Sequence, residues 1–179
     1  MRPVFSLCLL LVIPTVGFSQ TAPPATTPVS DALRQGLTRS SKNMIAAADA
    51  MPAEKYSFKP TPDQITFAHL TLHIADSNTR FCSAISGVAA PEAPKLAETD
   101  AKDKLVSALK ASFDFCSSSL GKVDDSHLAD SIPLFPNRSF SRAGVMFILS
   151  GSWADHYSAQ SMYLRLNGVL PPTAQPASH

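Results

Sequence analysis

The sequence has little net charge, because 15 lysine and arginine residues balance 14 aspartate and glutamate residues in a chain of 179. A protein that binds nucleic acid through its phosphates shows a basic stripe and a clearly positive balance. The sequence also lacks a polybasic cluster for binding an anionic membrane surface. The charge pattern therefore argues against nucleic acid as a partner, and the length fits one ordinary domain.

Several common catalytic motifs are missing as well. The sequence contains no glycine-rich phosphate loop, no serine–histidine–aspartate arrangement in a nucleophile elbow and no paired-carboxylate motif. Asp76 and Asp155 stand isolated in it. There is no internal repeat and no strong strand signal. The enzyme classes that depend on those motifs are therefore not indicated.

Residues 1–19 have the anatomy of a secretory signal peptide. Arg2 supplies a positive start, the apolar stretch VFSLCLLLVIPTVGF follows, and the small residues Gly17 and Ser19 occupy the −3 and −1 positions of a cleavage site. The stretch is too short to favour a lasting transmembrane helix, although an uncleaved N-terminal anchor is the alternative. We therefore expect the mature protein to be exported, either to the periplasm or as a secreted protein.

Cysteine is scarce, with three residues in the chain, and Cys8 is expected to leave with the signal peptide. Cys82 and Cys116 then remain, and an even pair in an oxidising compartment is typical of a disulfide. The alternative is two buried thiols that act as small apolar groups. If the bridge forms, no thiol is left to act as a nucleophile.

Proline-rich segments border the predicted domain. Residues 20–29 are rich in proline and threonine and predict a flexible leader, and residues 173–179 predict a disordered tail. The folded domain is accordingly expected over residues 30–172, with Ser30 as the N-cap of its first helix.

Four segments of that domain show helical periodicity. The connections between them are about a dozen residues or longer, which is more than a simple up-and-down bundle needs and indicates a crossover or loops that cover one end. The stretch DDSHLADSIPLFPNRSF before the fourth helix is expected to be irregular. The helices are predicted near Ser30–Met51, Thr66–Gly87, Thr99–Gly121 and Ser141–Gly168, which makes the fold an all-α four-helix bundle.

Histidines are the residues most capable of carrying chemistry. His69 and His73 lie four positions apart on the second helix, a spacing that can chelate a metal but more often serves packing or contact with water. His156 lies in the apolar stripe of the fourth helix, between Trp153 and Gln160. A buried imidazole needs a hydrogen-bond partner or a metal, so His156 is either a satisfied core residue or a ligand.

Two segments resemble the DinB-like family of four-helix-bundle proteins, which is related to thiol-dependent transferases. The first is AMPAEKYSFKPTPDQITFAHLTLHIADSNTRFC, which contains a P-x-x-x-Y-x-F-x-P-x-P run, and the second is DHYSAQSMYLRLNGVLPP. The resemblance covers the chain from the first predicted helix to Pro172. It implies an up-down-down-up bundle, in agreement with the long connections.

The resemblance also implies a metal site. Many members of the family hold nickel or zinc on three histidines, one from the second helix and two from an H-x-x-x-H pair on the fourth. His73 matches the first position and His156 the second member of the pair, but Ser152 stands where the remaining ligand is expected. Because a hydroxyl is a poor substitute for an imidazole, we expect a degenerate site that binds a divalent metal weakly or not at all.

Two functions follow from these expectations. The favoured one is an exported bundle that binds a small molecule or a partner protein in a polar pocket between the second and fourth helices. The alternative is a divalent-metal-dependent transferase or hydrolase that uses His73 and His156. A homodimer through a bundle face is compatible with such a fold, but no segment of the sequence identifies the face. The other residues expected to line the pocket are Trp153, Gln160 and Tyr163.

Overall fold

A computed structural model describes residues 27–92 and 94–176 of the chain. The predicted signal peptide with Cys8, residues 20–26 of the predicted leader, and residues 177–179 of the predicted tail lie outside the described residues. Four helices confirm the all-α, four-helix prediction, and none of those in this part of the chain is long and apolar enough to cross a membrane. They are α1 (Pro28–Ala50), α2 (Phe67–Ser86), α3 (Lys102–Leu120) and α4 (Arg142–Leu166).

Helices α2 and α3 are parallel neighbours. The amide of Asn78 donates to the hydroxyl of Ser112 over 3.1 Å, and a disulfide joins Cys82 to Cys116 further along both helices. The second contact lies closer to the C-terminus than the first on both helices. The chain must therefore return along the bundle between α2 and α3, which explains the length of that connection. The predicted disulfide is present and both of its cysteines are fully buried.

Helix α4 runs antiparallel to α2 and parallel to α1. His73 on α2 contacts His156, whereas Asn78, later on α2, bonds to Trp153, earlier on α4. On the other side of α4, Trp153 approaches the early part of α1, and Gln160 bonds to a carbonyl late in α1. The four helices accordingly run up, down, down and up. Their inner faces form one apolar core.

Local signals set the ends of α2 and α4. The side chain of Thr66 accepts a hydrogen bond from a backbone N–H in the first turn of α2, and that of Ser141 does the same for α4. Gly87 after α2 and Gly168 after α4 have φ angles of 74° and 73°, in the left-handed region that glycine adopts without a steric penalty. These ends agree with the predicted ones.

Helix α1 begins earlier than predicted, and Ser30 is not its N-cap. Pro28 occupies the first turn, where its missing N–H needs no partner. The carboxylate of Asp125 accepts from the backbone N–H groups of Val29 and Ser30, both over 2.9 Å, and from the hydroxyl of Ser30 over 2.6 Å. This carboxylate comes from a distant 3-10 turn, Asp125–His127, so sequence spacing alone could not indicate it.

The stretch before α4, predicted to be irregular, contains a β-hairpin. Strands β1 (Ser131–Phe135) and β2 (Arg138–Ser141) pair antiparallel, and Asn137 between them has φ 59°, which asparagine tolerates better than most residues. Pro133 lies within β1, opposite Ser139. In a two-stranded hairpin each strand keeps a free edge, so a proline can lie in it without breaking a ladder bond. Buried Ile132 packs the hairpin against the helical core.

Part of the predicted tail packs on the bundle. A 3-10 turn spans Pro172–Ala174. The hydroxyl of Tyr157 on α4 donates to the hydroxyl of Thr173 over 2.9 Å and accepts from its backbone N–H over 3.1 Å. Hydrogen-bonded structure therefore continues past residue 172, where the sequence predicted that the domain ends.

Candidate functional site

Helices α2 and α4 bring His73 and His156 together on one face of the bundle. Their ring centroids lie 4.9 Å apart and their planes meet at 88°, an edge-to-face contact. His73 is exposed and His156 is half-buried, so His156 is less covered than its place in the apolar stripe predicted. Both imidazoles can therefore be reached from solvent, and one small ligand can contact both.

Ser152 precedes His156 by one helical turn and contacts its ring. The hydroxyl oxygen lies 3.2 Å from Nδ1 of His156, and the tautomer of the ring decides which group donates. Because Nδ1 is engaged by this serine, Nε2 is the nitrogen of His156 that remains for an external ligand.

Burial lowers the pKa of His156 below its usual value of 6.5, the nearby His73 ring lowers it further, and Asp155 opposes both effects. The ring is therefore neutral at pH 7. A neutral imidazole offers one donor and one acceptor, and it is also the form that binds a metal.

We expect His156 to titrate below pH 6.5, and the ring signals of the protein followed by NMR against pH will test this. Since folding disfavours the charged ring, the unfolded chain binds more protons between the lowered pKa and 6.5. This contribution to stability is complete above about pH 6.5 and is lost as the pH falls through the folded pKa. His73→Asn should move the titration of His156 upwards, and a wild-type pKa above 6.5 would contradict the prediction.

The three residues predicted to line the pocket belong to the core. Trp153 donates from Nε1 to the side-chain oxygen of Asn78 over 2.8 Å, and the Tyr163 hydroxyl donates to the carbonyl of Ile65 over 2.7 Å. Gln160 is fully buried and donates to a carbonyl of α1 over 3.3 Å. Trp153 and Gln160 therefore join helices, and Tyr163 joins α4 to the segment before α2. The accessible surface beside His156 comes from other residues.

An open cleft of about 630 Å³ adjoins His73. Its walls include His69 and Asp76 on α2 and Glu98 in the connection between α2 and α3. Glu98 lies 2.7 Å from Nδ1 of His69 and also accepts from the hydroxyl of Thr66, and these bonds lower the pKa of its carboxyl group. No sequence pattern indicated Glu98 as part of the site, because it is 29 residues from His69 in a loop whose course depends on tertiary packing.

A family model for the DinB superfamily matches residues 37–158, which is more than half of the chain. The protein belongs to the DinB superfamily. Among curated proteins, none matches the chain.

Solved structures of DinB-like proteins share this fold. One from Bacillus subtilis aligns with a TM-score of 0.66 at 18% identity and covers 82% of this chain and 99% of its own. One from Bacillus cereus aligns with 0.65 at 14% identity, covering 79% and 95%. A conserved protein from Enterococcus faecalis aligns with 0.59 at 15% identity, covering 79% and 98%. At such low identities the likeness shows the DinB fold alone.

The donor set of this DinB-superfamily protein does not fit a three-histidine metal centre. His73 and His156 supply two imidazoles, and Ser152 contributes a hydroxyl at the position of the remaining ligand. Across residues 27–92 and 94–176, no three histidine, cysteine, aspartate or glutamate side chains are grouped so that they could hold a metal ion. Nickel and zinc bind far more weakly to a neutral hydroxyl than to an imidazole.

Proposed function

We propose that the protein is an exported binding protein of the DinB superfamily with a degenerate metal centre, and that it binds a small polar molecule between His73 and His156. The observation that carries the proposal is the accessible contact of these two imidazoles at 4.9 Å with a serine in place of a further ligand. The cleft beside His73 offers room for the rest of such a molecule. Export is inferred from the charged start and apolar stretch of residues 1–19.

A divalent-metal-dependent transferase or hydrolase at the same residues is the second candidate. The close approach of His73 and His156 favours it, because two ligands of one ion must lie side by side. Such an enzyme also needs enough ligands to retain the ion and an open position for the substrate. Export weighs against a thiol transferase, since small thiols are kept reduced in the cytosol.

Metal analysis distinguishes the two functions. The untagged mature protein, dialysed after incubation with zinc or nickel, is expected to retain well below one ion per chain. Ser152→His is expected to retain about one, because the side chain at this position already reaches the ring of His156 over 3.2 Å. The measurement is elemental analysis together with calorimetric titration of each metal.

Two further variants control this experiment. Ser158→His places a histidine on the exposed side of α4, and it should gain no metal. Adding His156→Ala to Ser152→His should abolish retention. Stoichiometric metal in the wild type that is lost on His156→Ala would contradict the proposal and support the enzyme.

The NMR signals of the imidazoles report the binding of small molecules directly. Small carboxylates, alcohols and amines are suitable probes, because each can hydrogen-bond to a neutral imidazole. A bound molecule should shift the ring signals of His73 and His156 together and leave those of exposed His127 unchanged. Shifts confined to His127, or equal at all three rings, would argue against a specific site.

A further inference from the structure

A groove between α2 and α3, here called the α2–α3 groove, adjoins the cleft beside His73. Its volume is about 480 Å³, within the range of about 300–1,000 Å³ that is typical of small-molecule sites. Leu72, Asp76 and Leu96 line both the groove and the cleft, so the two spaces meet at these residues. The other walls of the groove include Ala75, Thr79, Lys95, Ala108, Ala111 and Ser112.

Beyond Asp76, the helical walls of the α2–α3 groove are mainly apolar. Three alanines contribute small side chains from both helices. The hydroxyls of Thr79 and Ser112 donate to carbonyls within their own helices, over 3.0 Å and 2.7 Å, so neither requires a polar ligand as an acceptor. Because apolar surface gains free energy when it leaves water, this part of the groove suits an aliphatic or aromatic group.

Asp76 supplies an exposed carboxylate where the groove meets the cleft. None of the ion pairs within residues 27–92 and 94–176 includes it. Arg80 follows one helical turn later, but its guanidinium carbon lies 4.5 Å from the centroid of the Phe135 ring instead. The carboxylate of Asp76 therefore remains for a cationic ligand, with which it would form charge-assisted hydrogen bonds.

The charges around the two spaces also favour a cation. Carboxylates of Asp76, Glu92 and Glu98 line them, against the single ammonium group of Lys95. A cleft with an excess of one sign of charge attracts ligands of the opposite sign and repels those of the same sign. An anionic ligand is therefore disfavoured.

His73 lies one helical turn before Asp76, on the same side of α2. A neutral imidazole offers one acceptor nitrogen, and a primary ammonium group has three N–H donors. One ammonium group can therefore donate to the Asp76 carboxylate and to the ring of His73 together.

We propose that the molecule bound at His73 and His156 is a primary amine with an apolar arm. Its ammonium group binds Asp76 and its arm lies in the α2–α3 groove. This inference rests on the proposed function of the two histidines and adds the chemical class of the ligand. Lys95 at the edge of the groove is exposed, so it does not block the arm.

Three probes with the same alkyl chain test the charge of the ligand: octylamine, octanol and octanoate. The ring signals of His73 and His156 are followed by NMR at about pH 8, where histidine is neutral and a primary amine is protonated. The wild type is expected to bind octylamine at least about tenfold more tightly than octanoate. Ethylamine, which lacks most of the arm, should bind at least about tenfold more weakly than octylamine.

Two variants separate the ammonium contact from the groove. Asp76→Asn should weaken octylamine binding about tenfold and leave octanol binding unchanged. Ala111→Phe fills the groove, so it should reduce the affinity for octylamine towards that for ethylamine without changing the affinity for ethylamine itself. Asp114→Asn is the matched control, because Asp114 is an exposed carboxylate on α3 outside the groove, and it should change nothing. All three positions are exposed, and thermal melting will verify that the variants fold.

The outcomes distinguish this inference from the proposed function. If the two rings respond together but octylamine and octanoate bind equally well, or Asp76→Asn has no effect, the amine is wrong and the site at the histidines stands. An equal loss of octylamine and ethylamine in Ala111→Phe would overturn the assignment of the arm to the groove. If no probe shifts the two rings together, the proposed function fails, and this inference fails with it.

Discussion

Replacing both Cys82 and Cys116 by alanine is expected to lower the free energy of unfolding by about 3–4 kcal/mol. The bridge joins positions separated by 34 residues, so it removes much of the loop entropy of the unfolded chain. For a domain of this size the change corresponds to a fall in Tm of roughly 10 °C. Urea titration and thermal melting followed by circular dichroism will measure it.

Comparing the wild type with the double alanine variant, with and without reductant, separates the effect of the disulfide bond from the effect of cysteine side-chain packing. Reduction should destabilise the wild type to nearly the same extent as the double substitution, and it should leave the alanine variant unchanged. The oxidised and reduced proteins should differ in mass by the two hydrogens of one cystine. Equal stability with and without reductant, or two free thiols in the protein purified without reductant, would contradict the prediction.

Replacing Asn78 by alanine is expected to destabilise the fold by about 3 kcal/mol. Asn78 is 1% exposed and connects three helices, because it accepts from Nε1 of Trp153 over 2.8 Å and donates to Ser112 over 3.1 Å. Truncation leaves the buried indole N–H without a partner and opens a cavity. Trp153 is the only tryptophan, so the substitution would itself change the tryptophan fluorescence. Urea titration followed by circular dichroism is therefore the appropriate measurement.

A double-mutant cycle isolates the Asn78–Trp153 bond. Trp153→Phe removes the donor, so Asn78→Ala should cost about 1–2 kcal/mol less in that background than in the wild type. Thr79→Ala is the neighbouring control. Its hydroxyl bonds within its own helix, to the carbonyl of Ala75, and its loss should change stability by less than about 0.5 kcal/mol. Additive effects of Asn78→Ala and Trp153→Phe would contradict the assigned bond.

The bond between Asn78 and Trp153 also affects the candidate site. Asn78 follows His73 on α2, and Trp153 lies between Ser152 and His156 on α4. The bond between Asn78 and Trp153 therefore sets the register of α2 against α4 that places the two imidazoles opposite each other. Loss of this bond should loosen the contact between the histidine rings as well as the core.

The candidate site could be predicted from the sequence in part. His73, Ser152 and His156 were assigned through a family resemblance, and the structure brings the three together. Periodicity alone predicted that His156 is buried, whereas it is half-buried. An apolar stripe on one helix does not show how far a neighbouring helix covers it. Glu98 and the cleft beside His73 escaped prediction because they depend on the path of a connection with no periodic signal.

What the sequence alone determined is the local structure with strong short-range causes. These causes are the apolar repeats of the four helices, the caps at Thr66 and Ser141, and the glycines at 87 and 168. Each of them acts on residues only a few positions away in the chain. Tertiary structure decided the contacts between distant segments. The carboxylate of Asp125 starts α1 at Pro28, packing of Ile132 supports a hairpin with a proline in it, and the Asn78–Trp153 bond positions His73 against His156. Each of these depends on residues far apart in the chain, which the sequence pattern does not relate to one another.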